Sequence, residues 1–209
     1  MAPIIRLATL DDAEAIRDIY APFCDATPIS FETQAPGVDE TRRRIAKTLE
    51  SLPWLVREHD GEIVGYAYAS PHRERAAYRW SVDVSAYVRD GHRRTGIGRV
   101  LYTSLLELLR LQGFYNAIAG ITLPNPGSVG LHESMGFETV GIYRHIGFKC
   151  GEWHDVAWYQ LSLREPTDYP QDPLDFEVVR AMPNWAAALG LDSLSTAQMT
   201  LRIKSGDGD

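Results

Sequence analysis

Trp80-Ser81-Val82-Asp83-Val84-Ser85-Ala86-Tyr87-Val88, followed by Arg93-Arg94-Thr95-Gly96-Ile97-Gly98 and then by the Leu-rich run from residue 100 to residue 111, is the stretch that decides the fold. The first part favours a β-strand and the last has apolar residues at helical spacing, so the middle is a strand-to-helix turn. Gly96 and Gly98 remove side chains where the helix begins. The first N–H groups of a helix have no intrahelical partner, and a phosphate is their natural acceptor.

Period two divides the strand. Val82, Val84, Ala86 and Val88 share one face, and Asp83, Ser85 and Tyr87 share the other. Polar side chains on such a strand face water or line a cleft, and a phosphate-type loop directly after it favours the cleft. The helix places Leu101, Leu105, Leu108 and Leu109 on one side and stops at Gly113. Beyond it, residues 116–123 form a strand, Pro124-Asn125-Pro126-Gly127 breaks it, 128–135 fits a short helix, and 137–142 and 153–163 read as further strands joined through Lys149-Cys150-Gly151-Glu152.

Towards the start, residues 4–8 form a short strand, and Thr9 with Asp12 opens a helix running to about Tyr20. Pro22, Pro28, Pro36 and Gly37 then mark a loop holding Ile29-Ser30-Phe31-Glu32, with Phe31 either packed or lying over a substrate pocket. An amphipathic helix with Ile45, Leu49 and Leu52 follows, and Arg42, Arg43 and Arg44 form its wet face. Residues 54–59 and 62–69 flank Asp60-Gly61, a hairpin signal because that pair supplies positive φ angles. The order is helices near the start, then a largely antiparallel sheet crossed by one or two helices. After Leu163 the composition changes: 164–173 is linker-like, 176–201 carries apolar residues such as Val178, Val179, Trp185, Leu189, Leu191 and Leu194, and 205–209 is of a disordered-tail type.

The chain has 209 residues, 44% of them hydrophobic, enough for one domain with an appendage. A formal net charge of −7 argues against a general nucleic-acid binder. The cluster Arg89, His92, Arg93, Arg94 and Arg99 points instead to one small anionic ligand, against the alternative of a solvated loop. No apolar run is long enough to span a bilayer and the start lacks a secretory layout, so a cytoplasmic, non-membrane protein is expected. Cys24 and Cys150, far apart, rule out a disulfide framework and a cysteine zinc cluster, and each is expected to be buried. His132, His145 and His154 lack metal-ligand spacing with acids, so no metal is expected.

Arg93-x-x-Gly96-x-Gly98 after a strand, Asn125 after the next, and His132-x-x-x-Gly136-Phe137 resemble the acetyl-CoA-binding core of the GNAT acyltransferases. Tyr102-Thr103, Gln112-Gly113-Phe114, His132-Glu133 and Gly147-Phe148-Lys149-x-Gly151-x-Trp153-His154-Asp155 resemble its phosphinothricin and methionine sulfoximine N-acetyltransferase branch. The resemblance covers about residues 4–163, so 1–164 is expected to be the catalytic domain and 165–209 an extension.

It implies an α/β fold of the α+β kind, with a mixed, mostly antiparallel sheet flanked by helices and splayed at its centre. Backbone groups of Ala86, Tyr87 and Val88 would pair with the pantetheine arm and thioester of acetyl-CoA. The loop Arg93, Arg94, Thr95, Gly96, Ile97, Gly98, Arg99 would wrap the pyrophosphate, and Asn125 would touch the pantetheine. The substrate amine must lose a proton, so Asp83 is the candidate base; the branch more often has Glu there, and the shorter Asp favours a water-mediated step. His132 stands where many members have a Tyr that protonates the departing thiolate, or it takes the amine proton. Arg73 and Arg75 would hold the substrate's anionic group, with Ser85 and Phe31 beside it. A small anionic amine as partner substrate and a homodimer are implied. Lys149, Trp153 and His154 would shape the pocket or a dimer contact. The alternatives are transfer to another amine (an ordinary amino acid, a polyamine or a protein N-terminus) and a non-catalytic acyl-CoA-binding module; the glycine spacing disfavours a dehydrogenase.

Overall fold

The computed structural model describes residues 4–190. In chain order the elements are β1 (Ile4–Leu7), α1 (Ala13–Asp25), α2 (Val38–Leu49), β2 (Trp54–His59), β3 (Glu62–Pro71), β4 (Ser81–Val88), α3 (Ile97–Gln112), β5 (Asn116–Leu123), α4 (Pro126–Ser134), β6 (Glu138–Lys149), β7 (Glu152–Ser162), α5 (Phe176–Arg180) and α6 (Trp185–Ala188). The strands make one seven-stranded sheet in the order β1-β2-β3-β4-β5-β7-β6. All neighbours are antiparallel except β4 and β5.

That parallel pair decides the shape. β4 and β5 are in register only at Ser81↔Asn116, Val82↔Ala117 and Asp83↔Ile118. β4 then runs to Val88 on the β3 side and β5 to Leu123 on the β7 side, so the two strands diverge as the expected splay. On one face of the sheet Leu101, Leu105, Leu108 and Leu109 of α3 pack on Val82, Val84, Ala67, Ala69, Ala117 and Ala119. Burying each such leucine contributes about 1.5–3 kcal/mol. On the other face Ile16 and Ile19 of α1 and Ile45 of α2 pack on Trp54, Val56 and Tyr66.

Several expectations are corrected. α1 does not end near Tyr20 but continues through Pro22 to Asp25, because Phe23 and Cys24 on its last turn are buried. The short helix expected over 128–135, α4, starts instead at Pro126, where proline's missing N–H costs nothing. β6 extends to Lys149 rather than Ile142. Cys150 is exposed at the β6–β7 turn, with a φ of 52°, while Cys24 is buried as expected. Arg42 and Arg43 pair with acids of their own helix, but Arg44 also binds Glu32 at 2.6 Å and so ties α2 to the α1–α2 loop.

The segment after residue 164 is not a free linker. Trp80 Nε1 donates to the Gln171 carbonyl at 2.8 Å, and Arg79 grips both oxygens of Asp172 at 2.9 and 3.0 Å. Phe176 and Val179 of α5 and Leu189 after α6 are buried, with Leu189 inside the α3 core cluster. Leu191, Leu194 and the expected tail lie outside the described residues.

Candidate active site

Where β4 and β5 part, a groove with a cavity volume of about 550 Å³ passes between them. Its walls come from both faces of the sheet: Tyr102, Leu131 and His132 on one, Phe23, Ile29 and Thr122 on the other. Past Asp83 the β5-facing edge of β4 has no strand partner among the described residues, so the backbone of Ala86, Tyr87 and Val88 is open to a ligand. The strand-to-helix turn closes one end. Gly96 has a φ of 88° as the N-cap of α3, a conformation that favours glycine, and the N–H groups of the opening turn face the groove's end.

The side chains of this turn are partly committed elsewhere. Arg93 lies 4.8 Å from the centre of the Phe23 ring, and the Thr95 hydroxyl donates to the His92 carbonyl at 2.6 Å. Arg99 donates to the Ser134 hydroxyl at 2.6 Å, near the C-terminal end of α4, where a helix dipole favours a cation. Arg94 is exposed, with a φ of 64°. Asn125 lines the groove and caps α4 by accepting from Ser128 N at 3.1 Å.

His132 is buried, and both ring nitrogens are engaged. Nδ1 is 2.8 Å from the Ser128 carbonyl, which can only accept, so Nδ1 carries the proton. Nε2 therefore accepts from the Tyr102 hydroxyl at 3.1 Å. Burial holds the imidazole below its ordinary pKa, against the Ser128 hydrogen bond, which favours the cation. Burial also pushes the Tyr102 phenol far up, so it stays protonated.

On the opposite face, Asp83 sits at the last paired position before the opening, across from Ser70 of β3. Its Oδ1 is 2.8 Å from His72 Nδ1. Burial raises the carboxyl above its ordinary value, while the His72 hydrogen bond and the charges of His72 and Arg73 pull it down. The Arg73 guanidinium lies 5.9 Å from the Trp158 ring centre, and the Trp158 indole crosses β5 at Gly120, where any Cβ would meet it at 3.4 Å. Ser85 lines the groove and stands across from Tyr68 of β3. Asp83 and Arg73 thus come together, but of the three only Ser85 is among the residues that line the groove. Arg75 caps a short turn and borders a different cavity, beside Glu50 and Asp175.

Phe31 is exposed, and its ring lies on the Gly147 backbone of β6, opposite His154 at 6.4 Å. The loop that carries it is anchored by Lys149, whose buried ammonium donates to the Ser30 and Glu32 carbonyls at 2.6 and 2.7 Å. His154 Nε2 donates in turn to the Lys149 carbonyl at 2.8 Å. Sequence reasoning gave Lys149 and His154 no role of this kind, and it missed His72 and Trp158 altogether. Only the β3–β4 register, which carries His72 back beside Asp83, could have exposed the first.

Residues 5–158 match the family model for the acetyltransferase (GNAT) domain. The chain belongs to the GNAT acetyltransferases. A phosphinothricin N-acetyltransferase of Streptomyces viridochromogenes is 39% identical over 162 residues, 78% of this chain and 88% of that protein. An L-methionine sulfoximine/L-methionine sulfone acetyltransferase of Salmonella typhimurium is 33% identical over 77% of this chain and 95% of its own. The crystal structure of a GNAT superfamily phosphinothricin acetyltransferase from Sinorhizobium meliloti, in complex with AcCoA, superposes with a TM-score of 0.77 at 32% identity, covering 84% of this chain and 99% of that one. The GNAT match ends before the C-terminal segment that packs on α3. Among the described residues no three His, Cys, Asp or Glu are grouped to hold a metal ion, and no helix is long and apolar enough to cross a membrane.

Proposed function

We propose that this GNAT acetyltransferase moves the acetyl group of acetyl-CoA directly to the α-amine of a small, anionic, amino-acid-like acceptor of the phosphinothricin or methionine sulfoximine type. The observation that carries the reading is the position of Asp83 at the apex of the β4–β5 opening, with Arg73 beside it and the groove reaching both faces of the sheet. The cofactor lies along Ala86, Tyr87 and Val88 with its pyrophosphate at the turn from Arg93 to Arg99. Asn125 meets the pantetheine once its free amide N–H₂ turns to it. The acceptor enters from the α1–α2 side, its anion on Arg73 and its amine towards Asp83, with Phe31 and Ser85 at the rim.

The leaving thiolate needs a hydrogen-bond donor on the far wall. A neutral His132 with its one N–H committed to Ser128 cannot supply it directly. The Tyr102 hydroxyl supplies it by turning its one O–H from His132 Nε2 to the sulfur. The test is release of CoA thiol from acetyl-CoA with phosphinothricin, methionine sulfoximine, methionine sulfone, ordinary amino acids and polyamines. Turnover is expected with the first three; activity confined to polyamines, or none with any acceptor, would overturn the reading.

The working unit in this reading is a homodimer in the cytoplasm. β6 is the outer strand of the sheet, and Val140, Ile142, Tyr143, Ile146 and Phe148 on it, with Trp153 of β7, are exposed. A long apolar edge pairs with other chains unless it is covered, and a second copy covers it. Sedimentation at micromolar concentration is expected to give twice the chain mass, and Ile146→Lys to give the monomer mass. A wild-type chain that sediments as a monomer would sink this assignment.

A further inference from the structure

The shortness of Asp83 leaves the proton acceptor of the reaction unassigned at the level of an atom. Its Oδ1 already accepts from His72 Nδ1 at 2.8 Å, so the carboxylate's nearer oxygen is occupied by a ring N–H. A carboxylate only accepts, which fixes the proton on Nδ1 and leaves the lone pair on Nε2. Nε2 points away from Asp83 and has no hydrogen-bond partner among the described residues. The imidazole is not sealed in the core: its side chain is 14% exposed, and it stands edge-on to the rings of Tyr78 at 5.8 Å and Trp158 at 6.4 Å. The titratable and charged groups facing it are Asp83 from β4, and Arg73 and Tyr78 from its own connector.

We propose that His72 Nε2 is the base that takes the proton from the acceptor ammonium, and that Asp83 is a positioning residue that fixes the imidazole tautomer and stabilises the imidazolium. This rests on the acetyl-transfer reading above and names the atom that reading leaves open. One ammonium proton moves to Nε2 and on to solvent. The freed nitrogen lone pair forms the C–N bond to the acetyl carbon as the C–S bond breaks, and a second proton from that nitrogen ends on the departing sulfur as CoA thiol. An imidazole carries the accepting atom a ring's width beyond the carboxylate that holds it, and a ring nitrogen with a free lone pair is a suitable general base. The water-mediated step expected for a short carboxylate is replaced by a ring.

The test compares kcat and KM for wild type, His72→Gln, His72→Ala and Asp83→Asn across pH, with thermal melts to establish folding. The His72 variants are expected to lose about a hundredfold in kcat with little change in the KM for acetyl-CoA, and to lose the acid limb of the kcat profile. Added imidazole should restore part of the rate to His72→Ala. Asp83→Asn should keep the limb but move it to lower pH, because the charge that favours imidazolium is gone. If Asp83 is itself the base the pattern reverses: Asp83→Asn abolishes the limb, the His72 variants stay within a few-fold of wild type, and the proposal is overturned. A second readout needs no acceptor. The ring nitrogen shifts of His72 in the wild-type chain should report an Nδ1–H tautomer; an Nε2–H tautomer overturns the proposal even if the acceptor class is wrong.

Discussion

A chain cut after Arg164 is expected to aggregate or to unfold at far lower denaturant than the full protein, although it would retain every residue of the family match. Phe176, Val179 and Leu189 are 1%, 0% and 5% exposed, and together their burial contributes about 5–8 kcal/mol. That is comparable to the roughly 5–15 kcal/mol by which a folded domain is stable. The polar contacts reinforce the seam: Leu174 N donates to the Gln112 carbonyl at 2.7 Å, and the Gln112 amide donates to the Leu174 carbonyl at 3.4 Å. In the full-length chain Phe176→Ala alone should lower stability by about 3–5 kcal/mol, read from urea unfolding midpoints. An unchanged midpoint would show that the segment merely rests on α3.

The second large effect belongs to Lys149. Replacing it by Met keeps the volume of the stem but removes the ammonium that holds the Ser30 and Glu32 carbonyls. A buried acceptor on Ser30 and a half-buried one on Glu32 are then left without their charged donor, at about 2–4 kcal/mol in all. The consequence for the reaction is local, since the same loop carries Ile29 at the groove and Phe31 over β6. Lys149→Met is expected to lower the thermal midpoint, to raise the acceptor KM by about tenfold, and to leave the acetyl-CoA KM nearly unchanged. Equal rises in both constants would mean that the clamp supports the whole groove and not the acceptor side.

What could be read from the residues was whatever depends on local order. Alternation over 82–88 placed Val82 and Val84 on the α3 face and Asp83 and Ser85 on the other, as found. Asp60-Gly61 joins β2 and β3 as a hairpin, with both residues at positive φ. The spacing of Leu101, Leu105, Leu108 and Leu109 gave the buried stripe of α3. Other features depend on which distant segments meet. His72 becomes a partner of Asp83 only because β3 and β4 pair from Gly65↔Val88 to Pro71↔Val82, a register that no short pattern encodes. Lys149 finds its carbonyls 117 and 119 residues away in the chain, and a lysine in a turn gives no sign of that. Pro22 was read as a stop because proline removes a helical donor, yet burial of Phe23 and Cys24 outweighs the loss. The proline-rich stretch after residue 164 has a linker's composition, and its docking is set by the bare flank of α3 and not by its own sequence.

Among the described residues the three register pairs between β4 and β5 are all that joins the β1–β4 half of the sheet to the β5–β7 half through backbone ladder. Mechanically the molecule is a pair of leaves sewn along a short seam, with α3 as the splint across one side. A pantetheine arm hydrogen-bonded in the gap would act as the missing strand between the leaves, so the co-substrate becomes a structural member for as long as it stays. On the proposed reading, each turnover would loosen and re-tighten the frame, and the protein would be at its stiffest with that arm in place.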